Sequence, residues 1–127
     1  MNIADRIDHF VLTVRSLEIS CTFYERVLGL RRVVTPGKPT AMRFGNQKIN
    51  LHEAAHLFEP KAWLPTCGAG DFCLITEQDI DAVRAHIENC GVTIELGPVS
   101  RNGALGPMLS LYFRDPDNNL IEVSRYN

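Results

Sequence analysis

No basic field is written into this chain: thirteen lysines and arginines are set against fifteen aspartates and glutamates, for a formal charge of −2. Nucleic acid and anionic membranes, which recruit proteins through clustered cations, are therefore not expected as partners. Also missing is any apolar run approaching the ~20 residues of a membrane span. The opening MNIADRIDHF lacks the basic segment and apolar core of a secretory signal, so the expected location is the cytoplasm. Cysteine is sparse and scattered. Cys21, Cys67, Cys73 and Cys90 form no C-x-x-C pair, which argues against a zinc knuckle or a dithiol redox motif. They are expected as reduced thiols, Cys73 within a strand pattern and Cys21 and Cys90 within helical ones, buried in the manner of small hydrophobes.

What is present suits one globular domain. A chain of 127 residues with 45% apolar composition can bury roughly two-thirds of the surface its unfolded form exposes, so no disulfide or metal staple is required. RIDHFVLTV alternates in strand fashion, with Ile7, His9, Val11 and Thr13 on one face and Asp8, Phe10, Leu12 and Val14 on the other. Ser16 then offers an N-cap for a helix in LEISCTFYERVLG, whose stripe is Leu17, Ser20 or Cys21, Tyr24 and Leu28 and whose stop is Gly29. LRRVVT, TAMRF and KINLHEA read as three short strands joined by the turns PGKP and GNQ.

The pattern then begins again. GDFCLITE reads as a strand, QDIDAVRAHIENCG as a helix with Ile80, Val83, Ile87 and Cys90 on one side, and VTIEL as a strand. A Gly/Pro-rich connection, GPVSRNGALGP, leads to MLSLYFR, the turn DPDN and a final strand NLIEVS. Within that connection SRNGALGPM suits either a mobile flap or a tolerated insertion. Gly29 and Gly91 stand 62 residues apart, and the same offset carries His9 onto Asp71 and Val11 onto Cys73. Aligning Leu51 with Val123 places Asn50 on Glu122 and His52 on Ser124. A duplication of this size implies two like modules with a site at their junction.

One residue breaks the apolar pattern of the last strand. In LIEV, alternation puts Leu120, Glu122 and Ser124 on one face. A carboxylate withdrawn from water needs a partner: a metal, a histidine, or an arginine such as Arg43, Arg101 or Arg114. His9 taken alone reads as a core histidine bonded to a backbone carbonyl, and Asp71 as a surface strand start. His56 and His86 read as solvated.

The paired layout, with IDHFVLTV at the start and FRDPDNNLIEVS at the end, resembles the glyoxalase, bleomycin-resistance and extradiol-dioxygenase superfamily, the vicinal oxygen chelate proteins. FGNQKINLHEA, FEPKA, LITE and SLYFRDPDNNLIEVS are similar, more narrowly, to the glyoxalase-domain-containing protein 5 group and its bacterial virulence-associated relatives. The resemblance spans the whole chain. It implies an α+β fold in a single domain, residues 1–127, with two tandem βαβββ modules forming a cupped mixed sheet. Module one would cover about 5–54, an inter-module loop about 55–68, and module two about 69–127.

By matching positions the metal-facing places of such proteins fall on His9, Asn50, Asp71 and Glu122. The resemblance implies a divalent metal, zinc, nickel, iron or manganese, held by His9 and Glu122. Asn50 and Asp71 depart from the family's usual carboxylate and histidine. His52, two residues beyond Asn50 on the same strand face, would complete a two-histidine, one-carboxylate set, or would orient those ligands or the substrate instead. Asn50, Tyr112 and Arg114 are expected to bind substrate.

The activity implied is a metal-dependent lyase or isomerase acting on a small vicinal-oxygen substrate, such as the hemithioacetal of an α-ketoaldehyde with a thiol cosubstrate like glutathione. Glu122 or Asp71 would move the proton. The alternatives are an extradiol-type iron(II) dioxygenase with His52 or Tyr112 as acid or base, and a metal-free binding protein of the bleomycin-resistance kind with a groove lined by Phe58, Trp63 and Phe72. A homodimer is implied by the same resemblance.

Overall fold

The structure is a computed structural model and describes residues 1–127. The chain divides into two compact units, Met1–Cys67 and Gly68–Asn127. Each follows the order strand, helix, three strands, the α+β arrangement of a βαβββ module.

In the first unit β1 (His9–Val14), α1 (Leu17–Leu28), β2 (Arg31–Val33), β3 (Thr40–Phe44) and β4 (Gln47–Glu53) form a sheet ordered β1-β4-β3-β2. β1 and β4 run parallel, whereas β3 is antiparallel to both its neighbours. Parallel neighbours need a long crossover, and α1 with the β2–β3 hairpin supplies it. The helix starts where Ser16 Oγ accepts from the Ile19 amide at 3.2 Å, a cap worth about 1 kcal/mol. Glu53 Oε2 takes the Leu17 amide at 2.8 Å, satisfying a second first-turn donor and tying the helix start to the end of β4. Gly29 closes the helix in the left-handed conformation.

Register explains which side is core. Phe10 pairs with Ile49 and Leu12 with Leu51, and Met42 lies opposite Ile49, so these side chains share one face. Ile49, Leu51, Leu12, Val14 and Met42 are buried there with Cys21, Tyr24 and Val27 of α1. Val27, rather than the expected Leu28, completes the buried helical stripe. The second face carries His9, Val11 and Thr13 beside Lys48, Asn50 and His52.

The second unit repeats the scheme with β5 (Asp71–Ile75), α2 (Ile80–Asn89), β6 (Leu96–Gly103), β7 (Gly106–Arg114) and β8 (Leu120–Tyr126), ordered β5-β8-β7-β6. Its parallel ladder matches the first unit's rung for rung. Val11 pairs with Asn50 as Cys73 pairs with Glu122, and Thr13 with His52 as Ile75 with Ser124. The helix-side face buries Leu111, Phe113, Ile121 and Val123, with Ile80 and Ile87 of α2 also buried. At the β7–β8 turn Asp115 Oδ1 accepts the Asp117 and Asn119 amides, both at 2.9 Å, and its Oδ2 accepts Asn119 Nδ2 at 2.8 Å. Asn119 Oδ1 in turn accepts the Gly70 amide at 2.7 Å, pinning the entry of β5 to that of β8.

The sequence expectation fails around residue 96. VTIEL was expected as a strand and GPVSRNGALGP as a loop or flap, but the strand begins at Leu96 and runs through Gly103. The ladder with β7 shifts register between Leu96 and Val99. Gly97 and Pro98 sit at that bulge, and Gly103 lies opposite Gly106 beside the hairpin turn, so residues that usually interrupt strands here shape one. One further expectation is corrected. Cys73 is exposed rather than buried, because it lies on the face that α2 does not cover. Trp63 is 94% exposed within the chain rather than packed against it.

Candidate functional site

In the second unit the face opposite α2 carries a connected polar cluster. Cys73, Glu122 and Tyr112 share one rung across β5, β8 and β7, and Ser124 and Ser110 share the next. Ser124 Oγ donates to Glu122 Oε2 at 3.1 Å and lies 2.6 Å from Ser110 Oγ. Cys73 Sγ stands 3.2 Å from the same Ser124 oxygen. Glu122 is half-buried and forms no ion pair, so of the partners weighed for it no arginine is the one found. Arg114 is exposed and forks onto Glu95, at 3.0 and 3.2 Å, with a further bond to the Asn118 carbonyl. Arg101 reaches Tyr112 instead, its Nε donating to the phenol oxygen at 3.0 Å.

The electrostatics follow from these neighbours. Burial pushes the Tyr112 phenol above its usual range, the Arg101 guanidinium works against that, and the Glu122 carboxylate adds to it. Desolvation also pushes the Cys73 thiol up, opposed by its bond to Ser124 and reinforced by Glu122, so Cys73 stays protonated at neutral pH and is not an activated nucleophile. Asp71 lies at the exposed start of β5, on the same face as Glu122.

The first unit brings His9, Asn50 and His52 to one sheet face. His9 is exposed, and its Nδ1 lies 2.8 Å from Asp8 Oδ1, which leaves Nε2 free. His52 is buried, and its ring centroid lies 5.3 Å from that of Phe58. Burial lowers its pKa, so the imidazole is neutral at pH 7. Asn50 is buried, with its Oδ1 unbonded.

Sequence reasoning missed part of this cluster. The sequence puts Ser124 on the face of Glu122 and aligns it with His52 without giving it a role, offers none for Ser110 or Cys73, and suggests Arg101 only as a possible counter-ion of Glu122. Period two would have found Ser110 from Tyr112. Arg101 was hidden because its segment reads as irregular.

Two βαβββ units in tandem, each with its helix on one sheet face and its ionisable and hydroxyl side chains on the other, define a glyoxalase-type α+β protein. The model of the Glyoxalase/Bleomycin resistance protein/Dioxygenase superfamily matches residues 6–123, and the chain belongs to that family. It is 50% identical over 124 residues to the virulence protein STM3117 of Salmonella typhimurium, covering 98% of this chain and 86% of that one. With the glyoxalase domain-containing protein RDO1 of Mycosarcoma maydis it shares 44% over 120 residues, 94% of this chain and 68% of the relative. An integron cassette protein from the mobile metagenome of V. cholerae superposes with a TM-score of 0.97 at 46% identity, over 100% of this chain and 99% of that one.

Members of the superfamily often bind divalent metals. Single residues here suit such a role. The Asp8–His9 pair has the carboxylate–histidine form that orients a ligating imidazole, and Glu122 carries a carboxylate that no cation neutralises. Within neither unit, however, do three His, Cys, Asp or Glu side chains gather as a metal cluster. The expected ligands belong to different units, His9 and His52 to the first and Glu122 to the second.

Proposed function

We propose that the chain is a glyoxalase-type lyase or isomerase acting on a small vicinal-oxygen substrate such as the hemithioacetal of an α-ketoaldehyde, with a thiol like glutathione as cosubstrate. The observation that carries this reading is the Glu122 carboxylate, half-buried, unpaired with any cation and steadied by Ser124. A base that moves a proton between adjacent carbons has to be ionised, oriented and shielded from bulk water. Glu122 takes the proton from the carbon bearing hydroxyl and sulfur and returns it to the neighbouring carbonyl carbon, an isomerisation with no net gain or loss of atoms. Tyr112, its hydroxyl held by Arg101, donates to the oxygen on which negative charge develops. Asp71, at the exposed end of the same face, serves as the second proton carrier. Asn50 and Arg114 are proposed to contact substrate, Arg114 on condition that it leaves Glu95. His9, His52 and Glu122 are the proposed ligands of a divalent metal, which when bound would draw electron density from the substrate's oxygens. The protein is proposed to work as a homodimer.

The test is turnover of the hemithioacetal of methylglyoxal and glutathione by protein supplied in turn with zinc, nickel, manganese and iron(II). Activity that falls by about 100-fold or more in Glu122→Gln supports the assignment. Absence of turnover with every metal, or equal turnover by the variant, overturns it.

A further inference from the structure

On α2 two metal-binding side chains stand one helical turn apart. His86 belongs to the last turn of the helix, and Cys90 is its C-cap. Residues four apart on a helix share a face. The Cys90 amide still donates to the His86 carbonyl at 3.1 Å, so the backbone between the two keeps helical geometry. The imidazole is exposed and the thiol half-buried, which leaves both within reach of a solute.

The spacing of the two donor atoms is what points to a metal. Cys90 Sγ lies 3.7 Å from His86 Nε2. A tetrahedral ion bonded at about 2.1 Å to an imidazole nitrogen and about 2.3 Å to a thiolate holds those atoms about 3.6 Å apart. The pair therefore already has the bite of a zinc-type centre.

The charges nearby agree with a cation at this place. Arg84, the only lysine or arginine of α2, stands two residues before His86 and so on the other side of the helix, where its Nε donates to Glu88 at 2.7 Å. The last carbonyls of a helix carry partial negative charge and favour a cation beside them. No third His, Cys, Asp or Glu joins the pair, so the remaining coordination positions fall to water.

We infer that His86 and Cys90 form a two-donor site for a divalent ion of the zinc type, on the helix of the second unit and away from the sheet face that carries Glu122. Imidazole and thiolate are the donors such an ion takes from proteins. Binding breaks the thiol S–H bond, forms a sulfur–metal bond and releases the proton to water, with no change of oxidation state. Two protein donors hold an ion less firmly than four, so the ion is expected to be lost on purification and regained on addition. None of the residues proposed for turnover takes part.

Cobalt(II) is the probe, because a thiolate bound to it gives a charge-transfer band in the near ultraviolet. His9, His52 and Glu122 offer no sulfur, so an ion held by them gives no such band. Titration of the whole, reduced protein is expected to raise the band to saturation at about one ion per chain, and added zinc to bleach it. Cys90→Ser should remove the band, and His86→Gln should weaken cobalt binding about tenfold or more. In Cys73→Ser and Glu122→Gln the band should persist. No sulfur band in the unaltered protein, a band that survives Cys90→Ser, one lost in Cys73→Ser, or equal binding by His86→Gln would each overturn the site. The first of these comparisons uses the unaltered protein and needs no variant to fold.

Discussion

Arg101 lies over the ring of Tyr112, with its guanidinium carbon 5.5 Å from the ring centroid, while its Nε donates to the same residue's hydroxyl at 3.0 Å. Cation–π attraction and a charge-assisted hydrogen bond thus act on one phenol. Across the rung from that phenol is Glu122, so Tyr112 stands between a cation that stabilises its ionised form and an anion that opposes it.

That position fixes two opposite shifts. Arg101→Ala removes the lowering influence and should move the Tyr112 titration further up, whereas Glu122→Gln removes a raising one and should move it down. Ultraviolet difference titration, with Tyr112→Phe to assign the signal among the tyrosines, reads both. Shifts of the same sign in the two variants would contradict the arrangement.

A second prediction concerns the turn before β8. Asp115→Ala strips the acceptor from two buried amides and from the Asn119 side chain, and it loosens the bond from Asn119 to Gly70. The expected loss is about 2–4 kcal/mol, given the cost of each bare buried donor. Urea denaturation should show a lower midpoint with little change in slope.

At Gly97 the backbone leaves no choice of residue. Its φ is +113°, and an added Cβ would stand 2.3 Å from the Ser110 carbonyl oxygen. Gly97→Ala therefore meets both backbone strain and a clash with main chain, and it should cost about 2–4 kcal/mol by the same denaturation assay. Gly106→Ala makes a useful control. It carries positive φ without the clash and should cost less.

The parts of this fold that were legible in the sequence are those where side-chain period and local caps agree. Ser16, Gly29 and the alternation from His9 to Val14 announce α1 and β1, and duplication predicts the rung that pairs Cys73 with Glu122 from the one that pairs Val11 with Asn50. Strand β6 escaped because Gly97, Pro98 and Gly103 are turn formers by composition, and only the ladder with β7 makes them strand. Arg101 was lost with it. The fate of Glu122 was half legible: alternation gives its face, but whether an arginine, a serine or a tyrosine stands beside it depends on side-chain reach across strands, which no one-dimensional pattern records.

His52 predicts a pH dependence of stability. Its folded pKa lies below the unfolded value of about 6.5, because burial opposes the charged form. The unfolded chain therefore binds the proton more readily, so this contribution is complete above about pH 6.5 and is lost as pH falls toward the folded pKa. Urea midpoints measured from about pH 8 to about pH 5 should fall more steeply for the unaltered protein than for His52→Phe. A slope unchanged by the substitution would place the responsible histidine elsewhere.

Metal content offers the sharpest division among chemistries. If His9 and Glu122 are ligands, freshly purified protein should carry about one equivalent of divalent metal by elemental analysis, with His9→Ala and Glu122→Gln each retaining much less. His52→Ala distinguishes a ligand from an orienting residue: a ligand's loss empties the site, whereas loss of a side chain that only positions substrate leaves metal in place. The element also matters, since iron favours oxygenation and nickel or zinc favours isomerisation. Metal retained by Glu122→Gln would free the carboxylate to act as base alone. Absence of metal from the unaltered protein, with no uptake on addition, would leave Glu122 a polar anchor for Ser124 and shift the proposal to a small-molecule binding protein.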